Sequence, residues 1–324
     1  MAYQQKGPYL LFQFVFRRVL WAIPTLLGVF TLIFLLTYLM PGDPVRAVLG
    51  EQFQRADPET IERLREDLGL NDPWYTQYGK FLLRSVTGDL GQSFVLDESV
   101  RGIIGYRFPR TLQLMAAALF VAIIIGIPAG ILAARYQYTW IDHTLMIVAL
   151  LGVAMPVFWQ AILAKIFLTQ DTYGIALFPV AGYGGGNPYY MVLPALVLGT
   201  HLSATIARVM RSSLLEERRK DYSRTARSKG LSSNRVIFRH QLRNSLIPVV
   251  TVIGLDIGYL LGGSVVTETV FNWPGLGRAV INAISRRDTP IIIGTLLFGA
   301  LLFVAVNIII DVVYAFLNPQ IRYL

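Results

Sequence analysis

Apolar residues recur along the chain in six long runs, separated by polar segments of unequal length. A helix needs roughly 20 apolar residues to cross the hydrocarbon core of a bilayer, and each run reaches that length. The pattern therefore predicts an all-α integral membrane protein with about six transmembrane helices. The predicted spans are residues 19–40, 111–134, 141–168, 190–210, 246–267 and 290–316.

Arg17 and Arg18 precede the first apolar run, as basic residues do in a secretory signal peptide. The run is longer than the apolar core of such a peptide, and no small-residue cleavage site follows it before Pro41. We therefore expect a retained first helix with a cytoplasmic N-terminus. Alternation through six spans then places the C-terminus in the cytoplasm as well.

Positive charge is concentrated between the fourth and fifth runs, at residues 211–245. This segment holds ten basic and three acidic residues, so 10 − 3 gives a local charge of +7, against +9 for the whole chain. Cytoplasmic loops of membrane proteins are enriched in Lys and Arg, so the charge agrees with the expected orientation. The outer loop around Asp171 has no Lys or Arg and also agrees, whereas Arg278, Arg286 and Arg287 mildly oppose it.

The segment 41–110 is the only sizeable water-exposed portion expected on the outer side. The D-P-E sequence at 57–59 predicts a helix start with Asp57 as N-cap, and L-G at 68–69 predicts its end. A second helix is expected after Pro73. One face of this helix consists of Tyr78, Phe81 and Leu82. This face suits either contact with the membrane interface or a partner, or packing as a small cap on the transmembrane helices.

Composition narrows the chemistry further. Hydrophobic residues make up 54% of the chain and charged residues 15%, which is outside the range that a soluble domain needs. The absence of cysteine excludes disulfides, thiolate metal sites and cysteine nucleophiles, and three scattered histidines argue against a metal site. There is no H-E-x-x-H, G-x-S-x-G or G-x-x-x-x-G-K-[ST] motif. A non-catalytic membrane protein is expected, and the basic loop is explained by topology rather than by nucleic-acid binding.

Ionisable residues inside the apolar runs are candidates for function, because each costs roughly 2.5–3.5 kcal/mol at the bilayer centre. Asp256 lies midway along the fifth run and His201 in the fourth, with Arg208 nearer its cytoplasmic end and Asp311 near the inner end of the sixth. Asp256 either lines a polar substrate path or pairs with a neighbouring helix.

Glycine and proline suggest two further features of the spans. Gly126, Pro128 and Gly130 predict a bend in the second helix, whereas Gly258, Gly262 and Gly263 in the fifth would permit close helix contact.

The basic segment also carries a recognisable motif. The sequence DYSRTARSKGLS followed by RHQLRNSLIP resembles the cytoplasmic EAA loop of ATP-binding-cassette (ABC) importer permeases, in the form of the B-type subunit of the dipeptide, oligopeptide and nickel family. The resemblance covers nearly the whole chain. It extends through FLLTYLMPGDPV, LREDLGLNDPWYTQY, GDLGQS, RFPRTLQL and VTETVFNWPGLG.

The resemblance implies a type I importer permease fold, a single transmembrane permease domain over residues 1–324, and a cytoplasmic coupling loop at 211–245. Arg224, Thr225 and Ala226 occupy the E-A-A positions, so a basic residue replaces the acidic one. Residues alone predict a capped helix from Asp221, a turn at Gly230 and a second helix capped by Ser232 or Ser233. The residues implied in docking an ATPase are Asp221, Arg224, Thr225, Ala226, Lys229, Gly230 and Leu231.

The same resemblance implies that motion of the ATPases passes through Pro248 into the fifth span. It also implies that the segment from Glu268 to Gly277 lies near an outer gate, with its aromatic residues in a loop at an interface; a plain re-entry turn is the alternative. The path or gate residues are then His201, Arg208, Asp256, Glu268, Phe271, Pro274 and Gly275.

The implied partners are a second homologous permease, two cytoplasmic ATPase subunits that bind ATP and Mg²⁺, an extracytoplasmic solute-binding protein and membrane lipid, in the inner membrane of a prokaryote. This chain itself needs no cofactor. Peptides are the first expectation for the solute, with nickel, glutathione, oligosaccharide or haem as alternatives. Two other interpretations stay open: a basic loop that only fixes topology and binds anionic lipid, and an ion-coupled secondary transporter.

Overall fold

The computed structural model describes residues 7–39, 44–49, 53–169 and 176–317, and the fold there is helical. Five helices are long and apolar enough to cross a membrane: Phe16–Tyr38, Val100–Arg135, Tyr189–Arg219, Ser233–Val270 and Thr289–Val312. A bent pair of helices, Trp140–Ala154 and Val157–Leu168, makes a sixth candidate. The prediction of an all-α membrane protein with about six spans is confirmed. Pro41 and Asp171 lie outside the described residues.

In chain order the α-helices are α1 (Gly7–Tyr38), α2 (Pro44–Leu49), α3 (Pro58–Asp67), α4 (Trp74–Thr87), α5 (Val100–Arg135), α6 (Trp140–Ala154), α7 (Val157–Leu168), α8 (Tyr189–Arg219), α9 (Asp221–Ser228), α10 (Ser233–Val236), α11 (Leu242–Val270), α12 (Leu276–Arg286) and α13 (Thr289–Leu317). A 3₁₀ turn at Gly184–Gly186 precedes α8, and a π-helical turn at Ile237–Gln241 precedes α11.

The third span is not the continuous helix expected for 141–168. It breaks between α6 and α7, which are inclined by 107°. The break falls at Met155, whose backbone is extended (φ −82, ψ 127), directly before Pro156. Proline disfavours a helical conformation in the preceding residue and has no N–H to continue the helix, so this dipeptide explains the break.

The chain divides into two compact units. The first contains the residues up to Pro109 together with Arg278–Ile309, and the second contains Arg110–Gly277 with the residues from Ile310 onward. A single permease domain stays a prediction.

In the first unit, the outer helices form as predicted. Asp57 caps α3 by accepting a hydrogen bond from the N–H of Thr60 at 2.9 Å. Hydrogen bonding from the Thr60 side chain, followed by this backbone bond, lowers the pKa of Asp57. Gly69 has φ +67 just beyond the helix end.

The apolar face of α4 packs against α1. Phe81 and Leu82 contact the buried side chains of Phe30 and Ile33, and the hydroxyls of Tyr78 and Thr31 are 2.7 Å apart. Of the two interpretations left open for this face, the structure shows the packed cap.

In the second unit, α8 is the central helix. Of its most apolar stretch 61% is buried, against 22% for α11. A Cβ added at Gly130 of α5 would lie 2.6 Å from the carbonyl oxygen of Ala207, and one at Gly199 of α8 would lie 2.6 Å from that of Ala118.

The roles predicted for the glycines in the spans therefore change. The α5 glycines Gly126 and Gly130 permit close packing on α8, within a helix that runs from Val100 to Arg135 without a break, and the predicted bend at this point stays a prediction. In α11, a Cβ at Gly262 would meet no atom within 4 Å, and one at Gly263 would meet only the ring of Tyr259 in its own helix. Close approach to a neighbouring helix is therefore seen at the α5 and α8 glycines and not at Gly262 or Gly263.

Candidate functional site

The basic loop folds as a helix, a turn and a helix, as predicted. Helix α9 ends at Ser228, and Gly230 follows with φ +78. A Cβ at Gly230 would have nothing within 4 Å, so its requirement for glycine comes from the backbone conformation and not from crowding. Ser232 takes the N-cap position of α10, as one of the two predicted alternatives, although its side chain makes no capping hydrogen bond.

The start of α9 differs from the prediction. Lys220 occupies the N-cap position, with an extended backbone, and Asp221 is the first residue of the helix. The carboxylate of Asp221 therefore does not cap the helix. It lies in the first turn, where a negative charge still interacts favourably with the helix dipole.

A chain of buried polar side chains clamps α9 between the helices on either side of it. Ser223 is fully buried, and its hydroxyl donates to the backbone carbonyl of Glu217 in α8 at 2.7 Å. The side-chain amide of Gln241, in the π-helical turn, donates to the Ser223 hydroxyl oxygen at 3.2 Å. Ser245 in α11 in turn donates to the carbonyl of Gln241 at 3.0 Å. The inward face of α9 is thus connected to both α8 and α11.

A second contact joins the same three elements around Glu217, which is 6% exposed at the end of α8. Its carboxylate accepts from the Lys220 ammonium at 2.5 Å and from the Tyr222 hydroxyl, and Asn244 of α11 donates to the Tyr222 hydroxyl oxygen at 3.3 Å. The bond to Glu217 raises the pKa of Lys220. Burial, followed by the bond to Glu217, raises the pKa of Tyr222. Lys220 and Tyr222 therefore stay protonated at neutral pH.

The structure separates the predicted docking residues into two groups. Ala226 is 6% exposed and points into the loop, and Leu231 is half-buried. Ala226 therefore supports α9 from the inside and does not present its methyl group to a partner. The exposed surface consists of Asp221, Arg224, Thr225, Lys229 and Gly230.

Disrupting the buried contact should loosen α9 selectively. Ser223→Ala removes both the donor to the Glu217 carbonyl and the acceptor of Gln241, so we expect amide exchange in α9 to accelerate about five- to tenfold, since a net hydrogen bond contributes on the order of 1 kcal/mol. Ser228→Ala is the matched control, because the Ser228 hydroxyl is exposed and bonds only the Arg224 carbonyl of its own helix. Amide exchange is measured by mass spectrometry. Equal exchange rates in α9 of the two variants would show that the Ser223 contacts do not hold this helix.

His201 lies at the break in the third span. The break frees the carbonyls of Gly152 and Met155, and the side-chain amide of Gln160 donates to both, at 2.7 and 2.9 Å. Nδ1 of His201 lies 3.0 Å from the Gly152 oxygen. Because a carbonyl only accepts hydrogen bonds, the proton is on Nδ1 in this contact. The position of Gln160, four residues after a proline in an apolar run, is a signal that sequence reasoning missed.

The other ionisable candidates do not join this cluster by any contact within the described chain. Arg208 is exposed on α8. Asp256 is half-buried on α11, and its Oδ2 atom is buried with no hydrogen-bond donor among the described residues.

The Glu268–Gly277 segment is folded into the core of the second unit. Glu268 is fully buried and accepts from the Thr111 hydroxyl at 2.7 Å. That hydroxyl oxygen accepts from the N–H of Leu276 at 2.9 Å. A Cβ at Gly275 would overlap the Glu268 carboxylate, so the turn needs glycine for space. The loop is therefore built around the buried carboxylate of Glu268, which is bonded to Thr111 of α5.

The aromatic residues of the segment belong to this core. Phe271 and Trp273 are each 1% exposed, and the Trp273 indole donates to the Arg110 carbonyl at 2.9 Å. Pro274 is half-buried beside them. Within this chain the two aromatic rings do not face an exposed interface as expected from the sequence. A gating role for Glu268, Phe271, Pro274 and Gly275 stays a prediction.

An ion pair at the predicted cytoplasmic side was missed entirely. Arg211 of α8 makes a bidentate contact with Asp142 at the start of α6, at 2.6 and 2.7 Å, and Asp142 is 1% exposed. Asp142 also accepts from the N–H of Tyr138 at 3.0 Å. The sequence signal for this pair was Asp142, an acidic residue at the start of an apolar run, which needs a cationic partner. The pair attaches α8 to α6 at the first residue of the basic segment 211–245.

Two family models match the chain, and together they cover most of it. The first, described as the inner membrane component of binding-protein-dependent transport systems, matches residues 126–323. The second, the N-terminal part of such membrane components, matches residues 11–115.

Curated relatives match over nearly their full length. The dipeptide transport system permease protein of Alkalihalophilus pseudofirmus is 39% identical over 333 residues, which is 96% of this chain and 99% of that protein. The glutathione transport system permease protein of Escherichia coli is 41% identical over 310 residues, again 96% and 99%.

Solved structures show a similar fold at low identity. The methionine ABC transporter in an inward-facing conformation has a TM-score of 0.55 at 16% identity, and the match covers 67% of this chain and 96% of that one. An amino acid ABC transporter with histidines has a TM-score of 0.50 at 15% identity, covering 66% and 94%.

Proposed function

The chain belongs to the family of inner membrane components of binding-protein-dependent transport systems, and we propose that it works as the permease subunit of an ATP-driven peptide importer. As a multi-pass inner membrane protein it provides one half of the translocation path. It carries no catalytic group of its own; ATP and Mg²⁺ are bound by separate ATPase subunits.

The observation that carries the proposal is the construction of α9. Its outward face is polar and exposed, whereas its inward face is hydrogen-bonded to both α8 and α11 through Ser223 and Gln241. A force applied to the outward face therefore reaches two transmembrane helices at once. A loop that served only topology or lipid binding would need basic side chains but no buried attachment.

The outward face is proposed to dock in a cytoplasmic ATPase. Arg224, Lys229 and the αL turn at Gly230 supply charge and a defined backbone, while Asp221, Thr225 and the half-buried Leu231 complete the surface. Ala226 supports it from beneath. Motion then enters α11 through the π-helical turn and Pro248, since both features weaken the regular hydrogen-bond ladder at the start of that helix.

The proposed assembly has this chain paired with a second homologous permease, two ATPase subunits and an extracytoplasmic binding protein that delivers the solute. Di- or oligopeptides are the proposed solute class. Support comes from relatives named for dipeptide and glutathione transport, and glutathione is itself a small peptide. Nickel, oligosaccharide and haem remain alternatives within the family.

The test is purification of the tagged chain after co-expression with its neighbouring genes, followed by reconstitution into liposomes. We expect a second permease and an ATPase to co-purify, and uptake of a labelled peptide to require both ATP and the binding protein. Uptake driven by an ion gradient in the absence of ATP, with no ATPase bound, would overturn the proposal in favour of a secondary transporter. Mass spectrometry of ligand bound to the binding protein identifies the solute.

A further inference from the structure

Asp256 is an ionisable group in α11 for which the chain supplies an incomplete environment. Its Oδ2 atom is buried, yet none of the described residues donates a hydrogen bond to it. A carboxylate within a membrane span is costly, and such groups face a cavity or a cationic partner rather than lipid. The buried Oδ2 atom therefore needs a donor beyond those that the described residues supply.

Tyr259 lies three residues after Asp256 and hence on the same side of the helix. Tyr259 is 48% exposed, and its ring stacks on the ring of His201 with a centroid distance of 6.2 Å and an interplanar angle of 24°. His201 is itself held by its bond to the Gly152 carbonyl at 3.0 Å. The Tyr259 ring is thus held in place by its stacking on His201, while part of the residue is exposed.

The helix surface that holds these two side chains is partly exposed. Asp256 is half-buried and Tyr259 is exposed, and only 22% of the most apolar stretch of α11 is buried. A carboxylate and an aromatic ring on one partly exposed helix face combine the two groups that recognise an ammonium ion, through a charge-assisted hydrogen bond and a cation–π contact.

We propose that Asp256 and Tyr259 form a binding site for the primary ammonium group of the transported solute, such as the amino terminus of a peptide. The inference rests on the proposed function, because it requires α11 to face the translocation path. It adds that this chain selects for a free amine inside the membrane, independently of the binding protein.

The test uses the complete transporter in proteoliposomes and measures attraction of cations directly. The chain has no cysteine, so Tyr259→Cys introduces a unique thiol into it. Modification of this chain is measured with a cationic reagent, 2-aminoethyl methanethiosulfonate, and an anionic one, 2-sulfonatoethyl methanethiosulfonate. We expect the ratio of the modification rate by the cationic reagent to that by the anionic reagent to be about tenfold higher with Asp256 present than in the Asp256→Asn background. The reason is that a carboxylate several ångströms away attracts the cation and repels the anion in a partly screened site.

Uptake gives a second measurement, in which Asp256→Asn with Tyr259 intact should reduce transport of a peptide with a free amino terminus by about tenfold. An unchanged rate ratio, a thiol unreactive to both reagents, or unchanged uptake would each overturn the site. Loss of the second permease from the purified Asp256→Asn complex would overturn it too, because Asp256 would then pair with a cation of that subunit. If the unmodified transporter itself shows no ATP-dependent uptake, the proposed function fails instead.

Discussion

Replacing Asp142 by alanine will lower the thermal midpoint of the purified protein in detergent by on the order of 5–10 °C. The substitution leaves the guanidinium of Arg211, whose side chain is 24% exposed, without its bidentate carboxylate. It also removes the acceptor of the Tyr138 N–H. Breaking one side of a buried ion pair costs about 3–5 kcal/mol, because the remaining charge stays in a poorly solvated site. Scanning fluorimetry measures the shift.

The matched control is Arg224→Ala. Arg224 also pairs with an aspartate, Asp221, but at 3.9 Å and with side chains that are 72% and 98% exposed, so its loss should cost well under 1 kcal/mol. A double variant, Asp142→Leu with Arg211→Met, should recover part of the stability because no charge is left uncompensated. Equal shifts for Asp142→Ala and Arg224→Ala would refute the structural importance of the buried pair.

Gly230→Val should reduce ATP-dependent uptake by at least about tenfold, while the chain still folds and inserts. Valine at φ +78 is strained by more than about 1–2 kcal/mol, so the turn after α9 will change conformation. Because α9 is held on its inner face, the distortion is expected in the exposed surface proposed to contact the ATPase. Uptake and ATP hydrolysis are measured on the same proteoliposomes. Hydrolysis without uptake, with the ATPase still co-purifying, indicates uncoupling, whereas loss of the ATPase from the purified complex indicates failed docking.

Two control variants are compared with Gly230→Val. Gly79→Val places the same side chain in α4, where a Cβ meets no atom within 4 Å and φ is not positive, and it should leave uptake near the unmodified level. Gly230→Asn should retain more uptake than Gly230→Val, because asparagine tolerates the left-handed region. If Gly230→Val transports as well as Gly79→Val, the turn has no part in coupling.

The elements that local sequence predicted well are those fixed by interactions between near neighbours. Asp57 caps α3 by a bond to a residue three positions away, and Gly230 adopts positive φ through its own backbone freedom. The apolar spans follow from the length of each run in the same way. None of these features requires knowledge of what the segment packs against.

Predictions that depended on an element's surroundings were less successful. Gly130 was interpreted only as part of a bend in α5, and its role in making room for the backbone of α8 was not predicted. Ala226 was grouped with the exposed docking residues on the strength of the motif, but it is one of the two residues that α9 buries, the other being Ser223. Phe271 and Trp273 were expected at an interface, and they lie in the core because Glu268 and Thr111 fold the loop inward.

Hydrophobic length, charge and glycine chemistry are local properties, and they were enough to predict a helical membrane protein with a basic loop of helix, turn and helix on its predicted cytoplasmic side. The importer permease family was indicated by the resemblance of its sequence motifs. The packing of the helices was needed to see that α9 is bonded to α8 and α11, that Asp142 holds Arg211 and that Tyr259 stacks on His201, while none of the described residues donates to the buried Oδ2 of Asp256. The contacts Ser223–Gln241, His201–Tyr259 and Asp142–Arg211 join residues 18, 58 and 69 positions apart in the sequence, and such pairings arise only when the helices pack.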